Sequence, residues 1–184
     1  MRFPWSCAVV VVGLSRLTGS AGAQSPADSG SILYQAGVAA YQEGSQARRA
    51  RAIELWTRAA DLFRRSGDRA GQASALNDLG DAYRFIGRLD SSLRYLQRAL
   101  DIRQSLGDRH AEATTRYNIG FTYVRLNRPD LASRFLRQAL TIQREVNDRR
   151  GEGETLGRLG TVFGGVGSKA PIRSDKRSNR WRSR

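Results

Sequence analysis

Side chains able to do covalent or metal chemistry are few and far apart in this sequence. His110 is the single histidine of 184 residues and Cys7 the single cysteine. One imidazole cannot build a histidine-rich metal site, and no thiol stands near enough to it in sequence to suggest a Cys–His pair. Asp78 and Asp81 are one helical turn apart and could share a cation. Carboxylates isolated on a helix face, however, are usually solvated. Gly164-Gly165-Val166-Gly167-Ser168-Lys169 has the glycine content of a phosphate loop. Its Lys and Ser are in transposed order, and a helical rather than a strand pattern precedes it. No Gly-x-Ser-x-Gly elbow occurs. The expectation is a chain that is not an enzyme and uses no cofactor and no metal. What remains is reversible binding by polar and aromatic side chains, which depends on the elements that hold them.

Those elements repeat. Shifting the sequence by forty residues superposes Gly67-Asp68-Arg69 on Gly107-Asp108-Arg109, Gly80 on Gly120 and Tyr83 on Tyr123. The same shift places Arg88, Asp90, Arg94, Leu96, Ala99, Leu100 and Ile102 on Arg128, Asp130, Arg134, Leu136, Ala139, Leu140 and Ile142. A fixed period of this length is the mark of stacked supersecondary units. Gly67, Gly107 and Asn147 each precede an Asp, pairing a residue tolerant of left-handed backbone with an N-cap. The same punctuation appears mid-repeat in Gly87-Arg88-Leu89-Asp90 and Asn127-Arg128-Pro129-Asp130, where Pro129 suits a first helical position. Between turns the apolar spacing is helical, as in Leu93, Leu96, Leu100 and Leu106 with Tyr95 and Ile102 on the flank. Small residues fall where helices must cross closely: Gly80, Gly120 and Gly160 in first helices, Ala59, Ala99 and Ala139 in second helices. The predicted fold is all-α, an array of antiparallel helical hairpins.

Leu79-Gly80 with Tyr83, Ile119-Gly120 with Tyr123 and Leu159-Gly160 with Phe163 form one motif series. Ala52/Trp56/Ala59, Ser92/Leu96/Ala99 and Ala132/Leu136/Ala139 form the other. In both, the chain resembles the tetratricopeptide repeat family, whose usual unit is about 34 residues. The period here is similar to the longer variant found in kinesin light chains, spindle-orientation adaptors and many bacterial multidomain proteins. The resemblance implies a helical-hairpin solenoid of about three and a half repeats: 31–67, 68–107, 108–147 and a half repeat 148–167. It also implies a concave groove lined by the first helices, with a protein or peptide as partner. By register the groove would present Ser74, Asn77, Asp78, Asp81 and Arg84, then Thr114, Tyr117, Asn118, Phe121 and Arg125, then Glu154, Arg158 and Thr161. Asn118, directly before Ile119-Gly120, matches a frequent groove asparagine whose amide can bond a peptide through both donor and acceptor. Asp78 and Arg158 replace it in the neighbouring copies, and the Lys/Asn set that clamps a C-terminal carboxylate is not reproduced.

Outside the array, residues 1–23 read as a secretory signal peptide. Arg2 precedes an apolar run from Ala8 to Leu14, and Ala21-Gly22-Ala23 is a small-residue cleavage site. Export to the periplasm or medium would follow cleavage near Ala23 and would remove Cys7. The run is too short to anchor stably in a bilayer, which takes about 20 apolar residues. Residues 24–30 read as a linker and Ser31 as the start of a degenerate first repeat. Ile32, Leu33, Ala36, Ala40 and Tyr41 are its first apolar face, and a connection about two residues longer follows. Residues 168–184 carry seven basic residues, one acid and no apolar periodicity, the expectation for a disordered basic tail.

The formal charge of +14 divides into +2 from the leader, +6 from that tail and +6 from the body, where 22 basic and 16 acidic residues are interspersed. The tail could bind phosphates. The body has neither a recognition-helix pattern nor an aromatic-interleaved basic stripe, so nucleic acid is not the expected partner. An interaction scaffold is therefore expected. The alternative is the sensor part of a larger peptidase or signalling protein, and a basic nucleic-acid binder is the third reading. The fourth unit stops where its second helix should begin, leaving Leu156, Leu159, Val162 and Phe163 half covered and open to a second copy. That pattern suggests a truncated or frame-shifted array. Sequencing the coding DNA should then find, in another frame beyond codon 167, an Ala-x3-aromatic-x2-Ala helix; no such frame would leave a natural basic tail.

Overall fold

A computed structural model describes residues 25–167; the leader 1–23 and the basic segment 168–184 lie outside the described residues. Seven helices follow one another: α1 Pro26–Gln42, α2 Gln46–Ser66, α3 Arg69–Phe85, α4 Leu89–Leu106, α5 Arg109–Arg125, α6 Pro129–Glu145 and α7 Arg149–Gly167. Each helix packs against the next in sequence. The odd-numbered helices also touch one another in order, α1 on α3, α3 on α5 and α5 on α7, while the backbones of the even-numbered helices stay apart. The odd helices therefore crowd one side, which becomes the concave face of a curved solenoid. None of the described helices is long and apolar enough to cross a membrane.

Helix ends follow the turn residues. Gly67, Gly87 and Gly107 have φ of 79°, 80° and 69°, and Asn127 and Asn147 take the same left-handed backbone at 55° and 58°. Asp68, Asp108 and Asp148 accept hydrogen bonds from Gly71, Ala111 and Gly151 N–H at 2.8, 3.0 and 2.9 Å. The mid-repeat turns differ from expectation. Arg88 and Arg128 occupy the N-cap positions without a side-chain cap bond, and Asp90 and Asp130 fall in the first turn. There they act on the positive helix end through charge instead. Pro129 takes a first-turn position as its missing N–H requires.

Two expectations for the N-terminal region need correcting. Residues 26–30 are not linker but the first turns of α1, which begins with a capping box: Ser25 Oγ accepts from Asp28 N–H at 3.1 Å, and Asp28 accepts from Ser25 N–H at 3.3 Å. Small and polar residues read as a connection, but Ser-Pro-x-Asp is also a helix start. The register of the first repeat shifts accordingly. Gly37, not Ala40, is the counterpart of Gly80, so α1 stands 43 residues before α3, each 17 residues long. Ile32, expected on the apolar face, is 53% exposed.

What fixes the hairpins is a close approach inside each repeat. A Cβ placed on Gly37 would lie 2.5 Å from Trp56 Nε1; on Gly80, 2.5 Å from Leu96 Cγ; on Gly120, 2.8 Å from Leu136 Cγ. Leu96 and Leu136 are wholly buried, as are Ala59, Ala99 and Ala139 on the same outer helices. Tyr83 stacks on Tyr95 with ring centroids 5.2 Å apart, and Tyr123 on Phe135 at 5.6 Å. The core is thus a row of clusters along the axis, each shared by neighbouring hairpins. In α7 the apolar stripe divides. Leu159 and Val162 are buried against Leu136, whereas Leu156 and Phe163 are 45% and 51% exposed. A Cβ on Gly160 would meet nothing within 4 Å.

Charge ties α5 to α6 on the flank of the third repeat. Glu112, its side chain 5% exposed, pairs with Arg116 at 2.8 Å and Arg109 at 2.8 Å, and Arg109 also reaches Glu145. Burial works against ionising Glu112, but hydrogen bonds from Arg116, Gln104 and Arg109 outweigh it and hold the carboxyl below its usual range.

Two outcomes follow. Gly80→Ala should lower stability by about 1–3 kcal/mol by overpacking Leu96, whereas Gly160→Ala, facing open space, should gain up to about 1 kcal/mol of helix propensity. Urea titrations of the two variants compare them directly. A depressed carboxyl pKa stabilises the fold above the unfolded value, and that contribution disappears as the pH falls through the folded one. Glu112→Gln should therefore cost about 1.5–3 kcal/mol near neutrality, with the gap to the unmodified chain closing in melts below about pH 4.

Candidate binding groove

The floor of the concave face is a polar network that sequence reasoning missed in part. Arg103 projects inward from outer helix α4 and is 8% exposed. Its Nη1 donates to Ala111 O at 2.9 Å, to Asn77 Oδ1 at 3.4 Å and to Thr115 Oγ1. Asn77 Oδ1 also accepts from Thr115 Oγ1 at 3.4 Å and from Asn118 Nδ2 at 3.2 Å, and its own Nδ2 donates to Asp78 at 3.3 Å. Tyr34 completes the chain, its hydroxyl donating to Asp78 at 2.7 Å. Four helices, α1, α3, α4 and α5, are joined by buried polar groups that satisfy one another. Burial raises the Asp78 carboxyl pKa against the hydrogen bonds of Tyr34 and Asn77, raises that of the Tyr34 hydroxyl, and lowers that of the Arg103 guanidinium.

This placement changes two expected roles. Asn77 is 7% exposed and its carbonyl oxygen accepts from Arg103, Thr115 and Asn118, so it belongs to the floor of the recess rather than to the projecting side chains. Asn118 spends one of its two amide N–H donors on Asn77, which leaves its carbonyl oxygen and second N–H available. Arg103 went unread because a helical arginine aligned with Gln143 resembles a solvated face. Tyr34 and Tyr41 were hidden by the insertion that puts α1 out of the forty-residue register.

Above the floor the expected groove residues converge. Asp81 pairs with Arg84 and accepts from Tyr41 Oη at 3.0 Å. Phe121 of α5 is sandwiched between two cations: Arg84 Cζ of α3 lies 4.0 Å from its ring centroid and Arg158 Cζ of α7 lies 3.6 Å from it. Tyr117 stands one turn earlier on α5, its ring 6.3 Å from Phe121 and its hydroxyl accepting from Arg158 at 3.4 Å. Burial lowers the Arg84 pKa, and the neighbouring cations Arg125 and Arg158 push in the same direction. Arg125 is exposed at the mouth. The peripheral members turn inward on their own helices. Ser74, Thr114 and Thr161 hydroxyls donate to Ala70 O at 3.1 Å, His110 O at 3.2 Å and Arg158 O at 2.7 Å, while Glu154 pairs with Arg150.

Two recesses flank the Tyr117–Phe121 ridge. One, of about 300 Å³, lies between α1, α3 and α5 and is lined by Tyr41, Asp78, Asp81 and Asn118. The other, of about 340 Å³, lies between α5, α6 and α7 and is lined by Thr114, Tyr117, Gln143, Asp148 and Glu154. His110 sits on the rim of the second, 3.8 Å from Asp148 and 67% exposed. The arrangement can grip an extended guest by hydrogen bonds, stacking and charge.

Comparison with known proteins agrees with this architecture. The tetratricopeptide repeat model matches residues 39–105 and 86–145. No match is found among curated proteins. Among solved structures, the apo form of RapI superposes with a TM-score of 0.71 at 19% identity, covering 84% of this chain and 54% of that one. BtubC from P. vanneervenii gives 0.67 at 20% identity, covering 77% and 58%. The chain thus spans little more than half the length of either. A signal transduction ATPase with numerous domains from Pyrococcus horikoshii, which has a tetratricopeptide repeat sensor, gives 0.68 at 17% identity, covering 74% of this chain and 21% of that one. At such identities the likeness is one of fold. The family model covers more than half of the residues, and with the hairpin solenoid it places this chain in the tetratricopeptide repeat family.

Proposed function

We propose that this protein is a non-enzymatic interaction scaffold that holds a partner peptide or protein along its concave face. The observation that carries this reading is the contrast between floor and surface. Asn77, Arg103 and Thr115 satisfy one another beneath the face, which fixes the shape of the groove before a guest arrives. Tyr117, Phe121 and the remaining amide groups of Asn118 stand above them between two open recesses. Rigid aromatic anchors around satisfied polar groups are the composition of binding hot spots, and a floor that does not rearrange lowers the entropic cost of association. The Arg84–Phe121–Arg158 sandwich, with Arg125 beside it, gives the middle of the groove a positive field, so a guest with an acidic residue at its centre suits it best.

A second reading has a specific support. The fold recurs as part of a much larger signalling ATPase with a tetratricopeptide repeat sensor. In that reading the array is the sensing part of a protein whose output domain is encoded elsewhere or further along. The leader at residues 1–23 and its small-residue cleavage site support export as the setting for either role.

The full chain, used as bait on the exported fraction, tests the groove. Against the captured partner, Tyr117→Ala and Asn118→Ala should each weaken binding about tenfold or more, equivalent to about 1.4 kcal/mol. Arg94→Ala on an outer helix should stay within about twofold. Equal loss for all three variants, or for none, would remove the concave face from the interaction.

A further inference from the structure

The forty-residue repeat makes one vacancy visible. Arg103 fills the space between consecutive hairpins in the middle of the array, held by Ala111 O and Thr115 Oγ1, with Asp108 contributing an attractive charge. One repeat later the corresponding positions are Gln143, Gly151, Thr155 and Asp148. The backbone carbonyl, the threonine and the aspartate are kept, but the cation is gone and Tyr117 stands where Asn77 supplied an acceptor. Gln143 is 3% exposed and Thr155 is wholly buried. Gln143 Oε1 and Thr155 Oγ1 both lack a hydrogen-bond partner, although Thr115 Oγ1 is bonded three times over in the earlier copy. Buried acceptors left this way are rare in a folded protein and point to something that completes them.

The space beside them is the recess of about 340 Å³ lined by Gln143, Asp148 and Glu154. A shorter side chain has replaced a longer one, and the volume has stayed open. Two carboxylates line the recess, Asp148 and Glu154. Arg150, the one cation on the wall, is 91% exposed and turned to Glu154 at 3.1 Å. Glu154 stands where the preceding copy has Thr114, while Asn118 stands where the copy before its own has Asp78, so each layer keeps two carboxylates: Asp78 and Asp108 around Arg103, Asp148 and Glu154 around the recess.

We infer that the recess between α5, α6 and α7 receives an arginine side chain of the bound guest, which takes the place that Arg103 occupies one repeat earlier. A guanidinium offers donors in a flat fork, enough to reach Gln143 Oε1 and a backbone carbonyl while facing Asp148. An ammonium is a compact point charge with donors that do not form such a fork, so lysine fits less well. Tyr117 forms part of the wall and gives the stem or the cation an aromatic surface. This inference rests on the groove reading and adds its register: an arginine at the α7 end, an acidic residue over Phe121.

The test needs no knowledge of the partner. N-acetyl-arginine methylamide titrated into the full chain should shift the NMR signals of His110 and Tyr117 with saturation in the millimolar range. The citrulline analogue, which keeps the shape and loses the charge, should bind at least about tenfold more weakly. Gln143→Arg should fill the recess from within, raising Tm and abolishing the titration. Gln143→Met, apolar and of similar length, should abolish it without raising Tm. Absence of saturable shifts in the unmodified chain, equal shifts with citrulline, or shifts that persist in Gln143→Arg would each overturn the inference. If captured partners still depend on Tyr117 and Asn118 while Gln143→Arg leaves their binding unchanged, only the arginine pocket fails and the groove stands.

Discussion

The solenoid depends on a glycine in each of the inner helices α1, α3 and α5 being met by a large side chain from the outer helix of the same hairpin. Gly37 with Trp56, Gly80 with Leu96 and Gly120 with Leu136 bring each inner helix so close to that side chain that an added Cβ would lie within 3 Å of it. That approach sets the angle of each hairpin, and the hairpin angle in turn determines which helix can touch which. Inner helices come close enough to touch in series; outer helices do not. The concave face is therefore a product of the size difference between a hydrogen atom and a leucine, repeated along the chain. Aromatic stacks such as Tyr83–Tyr95 consolidate the same joints, but they follow from the approach rather than cause it.

Most of this was legible in the sequence because the determinants are local and recur. A left-handed Gly or Asn before an Asp cap needs only its own turn, and Leu96 or Leu136 needs only its glycine. What escaped reading was long-range or out of phase. Arg103 is buried by a helix from the next repeat, and its polar type argued for the surface. The first helix was misplaced because the added residues after Gln42 broke the period, and a capping box at Ser25 and Asp28 carries the same residue types as a linker. The candidate groove positions all fall on the inner helices α3, α5 and α7, where the repeat register puts them. Which of them are spent internally, as Asn77 is, depends on partners 26 to 41 residues away.

The two polar layers illustrate how a repeat protein acquires a specific surface from a generic frame. Between the middle hairpins a buried arginine closes the layer and makes it structural. Between the last two the same layer holds a glutamine, a threonine and open volume. A few substitutions at periodic positions, Arg103 to Gln143 foremost, thus separate a joint from a candidate binding site. Divergence between repeats is then more informative about binding than the shared motif, because the motif describes only how the hairpins stack.

The separation of the outer helices has a mechanical side. The backbones of α2, α4 and α6 do not touch one another; each packs instead on the next inner helix, so one repeat meets the following one mainly where an outer helix backs onto an inner one. Turning one repeat about the axis relative to the next would break the polar chain from Tyr34 to Asn118. The order of side chains along the inner row is therefore held by the same joints that hold the repeats together.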